Sequence, residues 1–204
     1  MKKELYAAEK RVFDVSVAIE KRADDTRSRK VIIRAAVTNS MSKPLGWGFK
    51  ERIEPGAFDG ADMSDVVAVL NHDFNILYAR TSSKTLALTV DDSGLSAEFD
   101  SPNTSHGNDL LEMIERGDIR QASFQFIIDK DRWVNDPDEG EIRIIEKFRK
   151  IIDVSPVVFP AYSDTEVAKR SFETFNEKKE LPASVQHAAD EYLVLKLKTN
   201  QISK

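Results

Sequence analysis

The sequence predicts a β-rich α+β fold, a closed or nearly closed barrel of about seven short strands with a few helices around it. Two observations predict it. Short runs in which apolar and polar residues alternate recur before about residue 165, and this pattern is typical of half-buried strands. Turn-forming residues separate the runs, and many short strands avoid free edges most simply by closing into a barrel.

The predicted strands are, in chain order, five alternating runs together with a compact apolar run at 66–70 and a long β-prone stretch at 142–158. Asp91-Asp92-Ser93-Gly94 stands between two of them and predicts a tight hairpin turn. Pro156 has no amide hydrogen, so it should end or bend the pairing of the last run. The runs lie at residues 13–19, 31–37, 66–70, 86–90, 95–99, 122–128 and 142–158.

One helix is predicted inside the strand-rich part of the chain, at residues 109–116. Leu110, Leu111 and Ile114 lie on one side of it, and Gly117 follows as the terminating residue. The helix therefore has one apolar face that can pack on the sheet.

The chain changes character after the last predicted strand. Ser163-x-x-Glu166 is a capping-box signature, which predicts a helix from there to about Phe175. The following residues are polar and show no strong apolar pattern. We therefore expect one domain at residues 1–170 and a helical or disordered extension at residues 171–204.

The composition excludes several classes of protein. A chain of 204 residues, 41% of them hydrophobic, can bury the core of one domain. Its net charge of −5 is opposite to the basic excess of a dedicated nucleic-acid binder. No apolar run approaches the roughly 20 residues of a membrane helix, and the N-terminus has no signal-peptide pattern. The absence of cysteine excludes a thiol protease and cysteine-ligated metal sites.

His72 is the first candidate for catalysis. It follows the apolar run at 66–70, and the end of a strand places a side chain at the rim of a sheet, where a cleft can form. Histidine titrates near neutral pH and can accept or release a proton. A turn histidine that bonds only to backbone is the alternative interpretation.

Ser123 is the second candidate. If Phe124 and Phe126 face the core, Ser123 faces the other side of the strand. A serine held on a rigid strand beside a cleft is well placed as a nucleophile, but it needs a base because a free hydroxyl is a weak nucleophile. An ordinary solvent-facing serine is the alternative.

Asp153 lies inside an apolar run, where an unpaired carboxylate would be costly. A histidine partner would pair it and would fix the tautomer of the ring, which is the third role in a Ser-His-Asp triad. An arginine partner would make it purely structural. Glu146 is a further candidate for the same role.

A metal-dependent hydrolase is the competing chemistry. His72 and Asp73, with Asp118 and Asp153, could bind a metal ion, although no second histidine stands at ligand spacing. There is neither a glycine-rich phosphate loop nor a Gly-x-Ser-x-Gly elbow. The residues alone leave a serine hydrolase, a metal hydrolase and a non-enzymatic protein open.

Four segments in order carry a resemblance to a known family. Residues 49–58 resemble its N-terminal signature, and residues 70–73 with 79–81 resemble its histidine block. Residues 116–124 resemble its serine block, and residues 153–157 with 160–162 resemble its closing block. Together they make roughly residues 10–170 similar to the prohead (capsid maturation) serine proteases of tailed double-stranded DNA phages.

The resemblance implies a fold like that of the herpesvirus assemblins, a β-barrel ringed by helices. It implies Ser123 as the nucleophile, His72 as the general base and Asp153 as the acid that orients it, with no cofactor. The family pattern has glycine where Ala79 and Gln125 stand, and Gln125 could narrow the cleft.

The resemblance also implies a biological role. Such proteases are packaged inside the immature prohead in the host cytoplasm, where they digest the scaffolding segment of the capsid protein and then themselves. The expected partners are therefore these two substrates and, by analogy with herpesvirus relatives, a second copy in a homodimer, with no nucleic acid and no membrane. The extension at 171–204 would be self-cleaved or would dock on the scaffold. The alternatives are a non-enzymatic capsid- or scaffold-associated barrel and a metal-dependent hydrolase using His72 and Asp73.

Overall fold

The computed structural model describes residues 8–11, 16–20, 28–45, 48–159 and 172–176. The chain divides into two units, residues 1–165 and 166–204. Only a short helical segment at residues 172–176 is described in the second unit. The first half of the predicted strand at 13–19 and the predicted domain boundary lie outside the described residues, as do most of the predicted C-terminal helix and the family-like segment 160–162.

Within the described residues the first unit holds ten strands and one helix. In chain order they are β1 (Glu9–Arg11), β2 (Val17–Ile19), β3 (Lys30–Val37), β4 (Lys50–Ile53), β5 (Val67–Leu70), β6 (Asp73–Arg80), β7 (Leu86–Asp91), β8 (Gly94–Asp100), α1 (Ser105–Glu115), β9 (Gln121–Asp136) and β10 (Gly140–Val157).

The strands form two sheets. The larger has the order β1-β9-β10-β5-β6, with β4 also paired to β10, and the smaller has the order β2-β3-β8-β7. The β-rich α+β class is confirmed, but the closed barrel of about seven strands is wrong, because one sheet is an open half-barrel. The seven predicted runs correspond to seven of the ten described strands and missed β1, β4 and β6. They also could not show that β1 and β6 end one sheet without pairing with each other.

The β9–β10 hairpin is the longest feature of the fold. Its strands have 16 and 18 residues and are antiparallel throughout, and the far edge of β10 pairs in parallel with β4 and β5. The expectation that Pro156 ends or bends this pairing is wrong. Pro156 lies opposite Ala122 inside the ladder, and its carbonyl accepts the amide of Asn71 at 3.0 Å, so its missing hydrogen is not needed there.

The core lies under this hairpin and is rich in phenylalanine. Phe126 packs against Phe124 and Phe148 with ring centroids 4.7 and 4.9 Å apart, and all three are buried. Burying each such ring contributes about 1.5–3 kcal/mol relative to leaving it exposed. The core therefore fixes which face of β9 points inward and leaves the opposite face for polar side chains.

Helix α1 confirms the predicted helix but begins earlier, at Ser105. The reason is Thr104, whose side chain accepts the amide of Gly107 at 3.2 Å and caps the first turn. The buried residues of the helix include Leu110, Leu111 and Ile114, as predicted. None of the helices in the described ranges is long and apolar enough to cross a membrane.

Candidate active site

Ser123 lies on β9 between two residues of the core face. Phe124 points into the core, so Ser123 points to the opposite face, where it stands directly across the ladder from Ser155 on β10. Its side chain is fully buried. The alternative of an ordinary solvent-facing serine is therefore wrong.

His72 lies in the two-residue turn that joins β5 to β6. Both turn residues have positive φ, 51° at Asn71 and 61° at His72, as a type I′ turn requires. Asparagine tolerates this conformation, whereas histidine adopts it at a cost of order 1 kcal/mol. The strained backbone conformation is therefore at His72, the histidine that the sequence analysis selected as a candidate for catalysis.

Two hydrogen bonds tie this turn to the end of β10. The amide of Asn71 donates to the carbonyl of Pro156 at 3.0 Å, and the side-chain oxygen of Asn71 accepts the amide of Val158 at 2.9 Å. The turn that carries the imidazole is thereby fixed to the strand that carries Asp153.

A β-bulge sets the direction of Asp153. Ile151 lies opposite Phe126, yet Asp153 lies opposite Gln125, so β10 has one extra residue at this point. Without the bulge Asp153 would lie opposite Phe124 and face the core. The extra residue instead turns the carboxylate to the face that carries Ser123.

The three side chains form a hydrogen-bonded row. His72 Nε2 is 2.8 Å from Ser123 Oγ, and His72 Nδ1 is 2.7 Å from Asp153 Oδ1. The His72 side chain is 4% exposed and that of Asp153 is fully buried. Since a carboxylate can only accept, Nδ1 carries the proton and a neutral ring presents the lone pair of Nε2 to Ser123.

Ser155 belongs to the same cluster and was missed by the sequence analysis. Its buried hydroxyl donates to Asp153 Oδ1 at 2.5 Å, so this oxygen accepts two hydrogen bonds. Its spacing was an available signal, because residues two apart on a strand share a face. Asp153 Oδ2 and Gln125 Oε1 are buried on this face without a hydrogen-bond partner in the described residues.

The other acids of the sequence analysis do not join this row. Glu146 pairs with Lys130 at 2.6 Å and Arg132 at 2.8 Å, and the hydrogen bond from Lys130 holds the pKa of Glu146 below its ordinary value. The side chain of Asp73 accepts from Asn75. The described ranges contain no group of three or more histidine and acidic side chains arranged to hold a metal ion.

A second polar cluster lies on the core side of the same strands. Arg11 donates through two nitrogens to the Glu51 carboxylate and reaches Glu9 at 2.6 Å, while Arg143 bonds Glu9 at 2.9 Å and Glu51 at 3.1 Å. Burial alone would raise the pKa of Glu51, but Arg11 and Arg143 hold it below its ordinary value. Burial would likewise lower the pKa of Arg11, and Glu51 with Glu9 raises it instead.

The second polar cluster contacts the row of Ser123, His72 and Asp153 through a main-chain carbonyl. The carbonyl of Arg11 accepts a hydrogen bond from Ser123 Oγ at 3.1 Å. No local sequence signal could have predicted this contact, because it joins residues 112 positions apart.

Comparison with known proteins gives one family. Residues 17–180 match the model of the caudovirus prohead serine proteases. No curated protein and no solved structure matches the chain. The match covers far more than half of the 204 residues and includes both long strands of the site. The chain therefore belongs to the caudovirus prohead serine proteases and is a serine protease.

Proposed function

We propose that Ser123, His72 and Asp153 are the catalytic residues of this protease, as nucleophile, general base and orienting acid. The observation that carries the proposal is the row itself, in which His72 Nε2 stands 2.8 Å from the hydroxyl and Nδ1 stands 2.7 Å from the carboxylate. Both distances suit proton transfer and ring orientation without any movement of the three groups.

The chemistry follows from the direction of each hydrogen bond. Ser123 Oγ attacks the carbonyl carbon of the scissile peptide bond while its proton passes to His72 Nε2. The peptide C–N bond then breaks and the same proton leaves with the amine. Water, activated by His72 in the same way, hydrolyses the acyl-serine ester and restores the hydroxyl. Asp153 keeps Nδ1 protonated and stabilises the imidazolium between these steps.

Family membership makes the chain a capsid-maturation protease that acts inside the phage prohead, in the host cytoplasm. Within that role, the substrates that we propose are the scaffolding segment of the capsid protein and the protease itself. The self-cleaved or scaffold-docking part is the extension at residues 171–204, following a protease domain at residues 1–170. A homodimer is a separate proposal and is tested by sedimentation of the purified chain.

The test is a Ser123→Ala variant of the full chain, incubated with capsid protein that still carries its scaffolding segment. Cleavage should be lost while the circular dichroism spectrum and the melting temperature are retained. A fluorophosphonate should label the native chain at Ser123 and leave the variant unlabelled. Scaffold processing by Ser123→Ala would overturn the assignment, and activity abolished by a chelator would favour a metal-dependent mechanism at His72 and Asp73.

A further inference from the structure

Strand β1 lies over the candidate nucleophile. It pairs antiparallel with β9, with Glu9 opposite Phe126 and Arg11 opposite Phe124, and the Arg11 carbonyl contacts Ser123 Oγ at 3.1 Å. Ser123 has no exposed surface in this arrangement. A peptide can pair with this edge of β9 beside Ser123 only if β1 leaves it, because β1 fills the edge.

The single hydrogen of the Ser123 hydroxyl has two acceptors within reach in the covered arrangement. A serine hydroxyl has one hydrogen, and both His72 Nε2 and the Arg11 carbonyl stand within reach of it. A hydrogen donated to the carbonyl is not available to the base. The contact with β1 therefore competes with the proton transfer that activates Ser123.

The place that β1 occupies is suited to an extended peptide. β10 takes one edge of β9, and β1 takes the other edge beside Ser123. A peptide added to a sheet edge binds through main-chain hydrogen bonds, and alternate side chains are read by pockets. A peptide that follows the path of β1 would bring its own carbonyl to Ser123 Oγ.

The buried side-chain cluster at this edge holds two opposite charges from β1. The Arg11 guanidinium binds both oxygens of the buried Glu51 carboxylate, and Glu9 binds Arg143 through both of its oxygens. When β1 leaves, it removes one negative and one positive charge together. Arg143 keeps Asp131 at 2.5 Å and Glu51 at 3.1 Å.

An incoming strand has to replace both charges. Glu51 would lose its bidentate partner, and a buried carboxylate is costly without a cation in good geometry. Arg143 would lose its partner at the position of Glu9. The strand that best restores both pairs carries an acid two residues before an arginine or lysine.

We propose that the edge of β9 is the substrate-binding edge, that it selects Glu-x-Arg or Glu-x-Lys with the basic residue on the acyl side of the scissile bond, and that β1 is an internal occupant of it. The proposal rests on the proposed role of Ser123. Glu-Lys-Arg at residues 9–11 occurs again at residues 20–22, and Glu-Lys-Lys stands at residues 177–179. Glu141-Ile142-Arg143 also fits the pattern, but it lies inside β10 and is paired with β4 and β9. The other three segments are the self-cleavage sites that the selectivity predicts.

The first experiment compares peptides on the full-length chain. One peptide has the sequence of residues 7–14, and its matched partner carries the change Arg11→Gln. We expect kcat/KM to fall by about 10- to 100-fold for the second peptide, the loss typical of a charge-assisted bidentate contact. Cleavage should fall between Arg11 and Val12, as located by mass spectrometry, and Glu51→Gln enzyme should cleave both peptides at similar rates.

The second experiment removes the internal occupant and does not depend on Glu51→Gln folding. Arg11→Gln in the full chain should weaken β1, so that a fluorophosphonate labels Ser123 about tenfold faster and KM for the native peptide falls with kcat retained. Arg132→Gln is the matched control, because Arg132 lies on β9, the strand that pairs with β1, and its ion pair with Glu54 is exposed.

The outcomes separate the two proposals. Equal cleavage of the two peptides, or an Arg11→Gln chain with unchanged labelling and KM, would overturn the assignment of the edge while leaving Ser123 as the nucleophile. Failure of a fluorophosphonate to label Ser123 in every variant, with no peptide cleaved, would overturn both proposals.

Discussion

Asp153→Asn is the substitution whose effect the structure specifies most closely. Asp153 Oδ1 accepts hydrogen bonds from His72 Nδ1 and Ser155 Oγ, whereas Oδ2 has no partner in the described residues. An asparagine can place either its oxygen or its NH₂ group at the Oδ1 position. The NH₂ group is favoured there, because both of its hydrogens then find acceptors in the imidazole and in the Ser155 hydroxyl.

This orientation reverses the hydrogen bonds of the ring. The amide would donate to Nδ1, so Nε2 would carry the proton and could no longer accept one from Ser123. The opposite orientation leaves two buried donors unpaired at about 1–3 kcal/mol each, so the reversed ring is favoured by about 2–6 kcal/mol. At 1.36 kcal/mol per tenfold, and with a limit near the ~10⁴-fold typical of a wrong tautomer, kcat should fall by about 30- to 10⁴-fold.

The assay is peptide cleavage under single-turnover conditions, with ¹⁵N NMR of the His72 ring to identify the protonated nitrogen. The decisive comparison is with Ser155→Ala. Alone, this change removes a bond to the acid and should lower kcat several-fold, since one such bond contributes about 1 kcal/mol. In the Asp153→Asn background it removes an acceptor of the misplaced amide and should raise kcat. A double variant that is slower than Asp153→Asn, or a ring still protonated on Nδ1, would refute the reasoning.

Three further predictions test other parts of the structure. Asn71→Gly keeps the left-handed turn but loses the hydrogen bond to the Val158 amide, so kcat should fall while the melting temperature changes little. Asn75→Gly on the same hairpin is the control. An equal loss of kcat in both variants would contradict the anchoring role of Asn71. Because the pKa of Glu51 is depressed in the folded state, its ion pairs stabilise the fold above its ordinary pKa of 4.5, and this stabilisation is lost as the pH falls through the lower pKa of the folded state. Urea unfolding from pH 6 to 3 should show the loss. A Glu51→Gln chain whose unfolding free energy falls with pH at the same slope would contradict the prediction. Burial, with a smaller contribution from Asp109, raises the pKa of Tyr78 to about 12, so phenolate absorbance should show one tyrosine ionising later than the rest, and a Tyr78→Phe chain that keeps this late step would contradict it.

Local sequence patterns predicted the parts of the fold whose partners lie close in the chain. The β7–β8 hairpin and α1 are confirmed because a turn sequence, an apolar face and a terminating glycine act over a few residues. The open edge of the larger sheet was not predictable in this way, because strand pairing between distant residues leaves no periodic signal.

The candidate site, like the fold, was predictable from the sequence only in part. Residue patterns alone left Ser123 and Asp153 with structural alternatives, and the resemblance to a family supplied their expected roles. The structure brings these two side chains and His72 into one row, although their roles stay a prediction. The bulge before Asp153 and the cover provided by β1 were beyond sequence reasoning, because each depends on which residues of distant strands stand opposite one another.

Strand β10 carries the acid, the hydroxyl that holds it and the carbonyl that anchors the histidine turn, whereas Ser123 stands on its neighbour. The spacing between acid and imidazole is thus set by the hydrogen bonds that hold the β5–β6 turn to β10, and the spacing between imidazole and hydroxyl depends on how β9 and β10 are aligned. Heat or pressure should therefore inactivate the enzyme by sliding or parting this hairpin while the histidine–aspartate pair survives. Cross-linking the two strands beyond the site should then prolong the working life of the protease more than tightening the turn around the histidine.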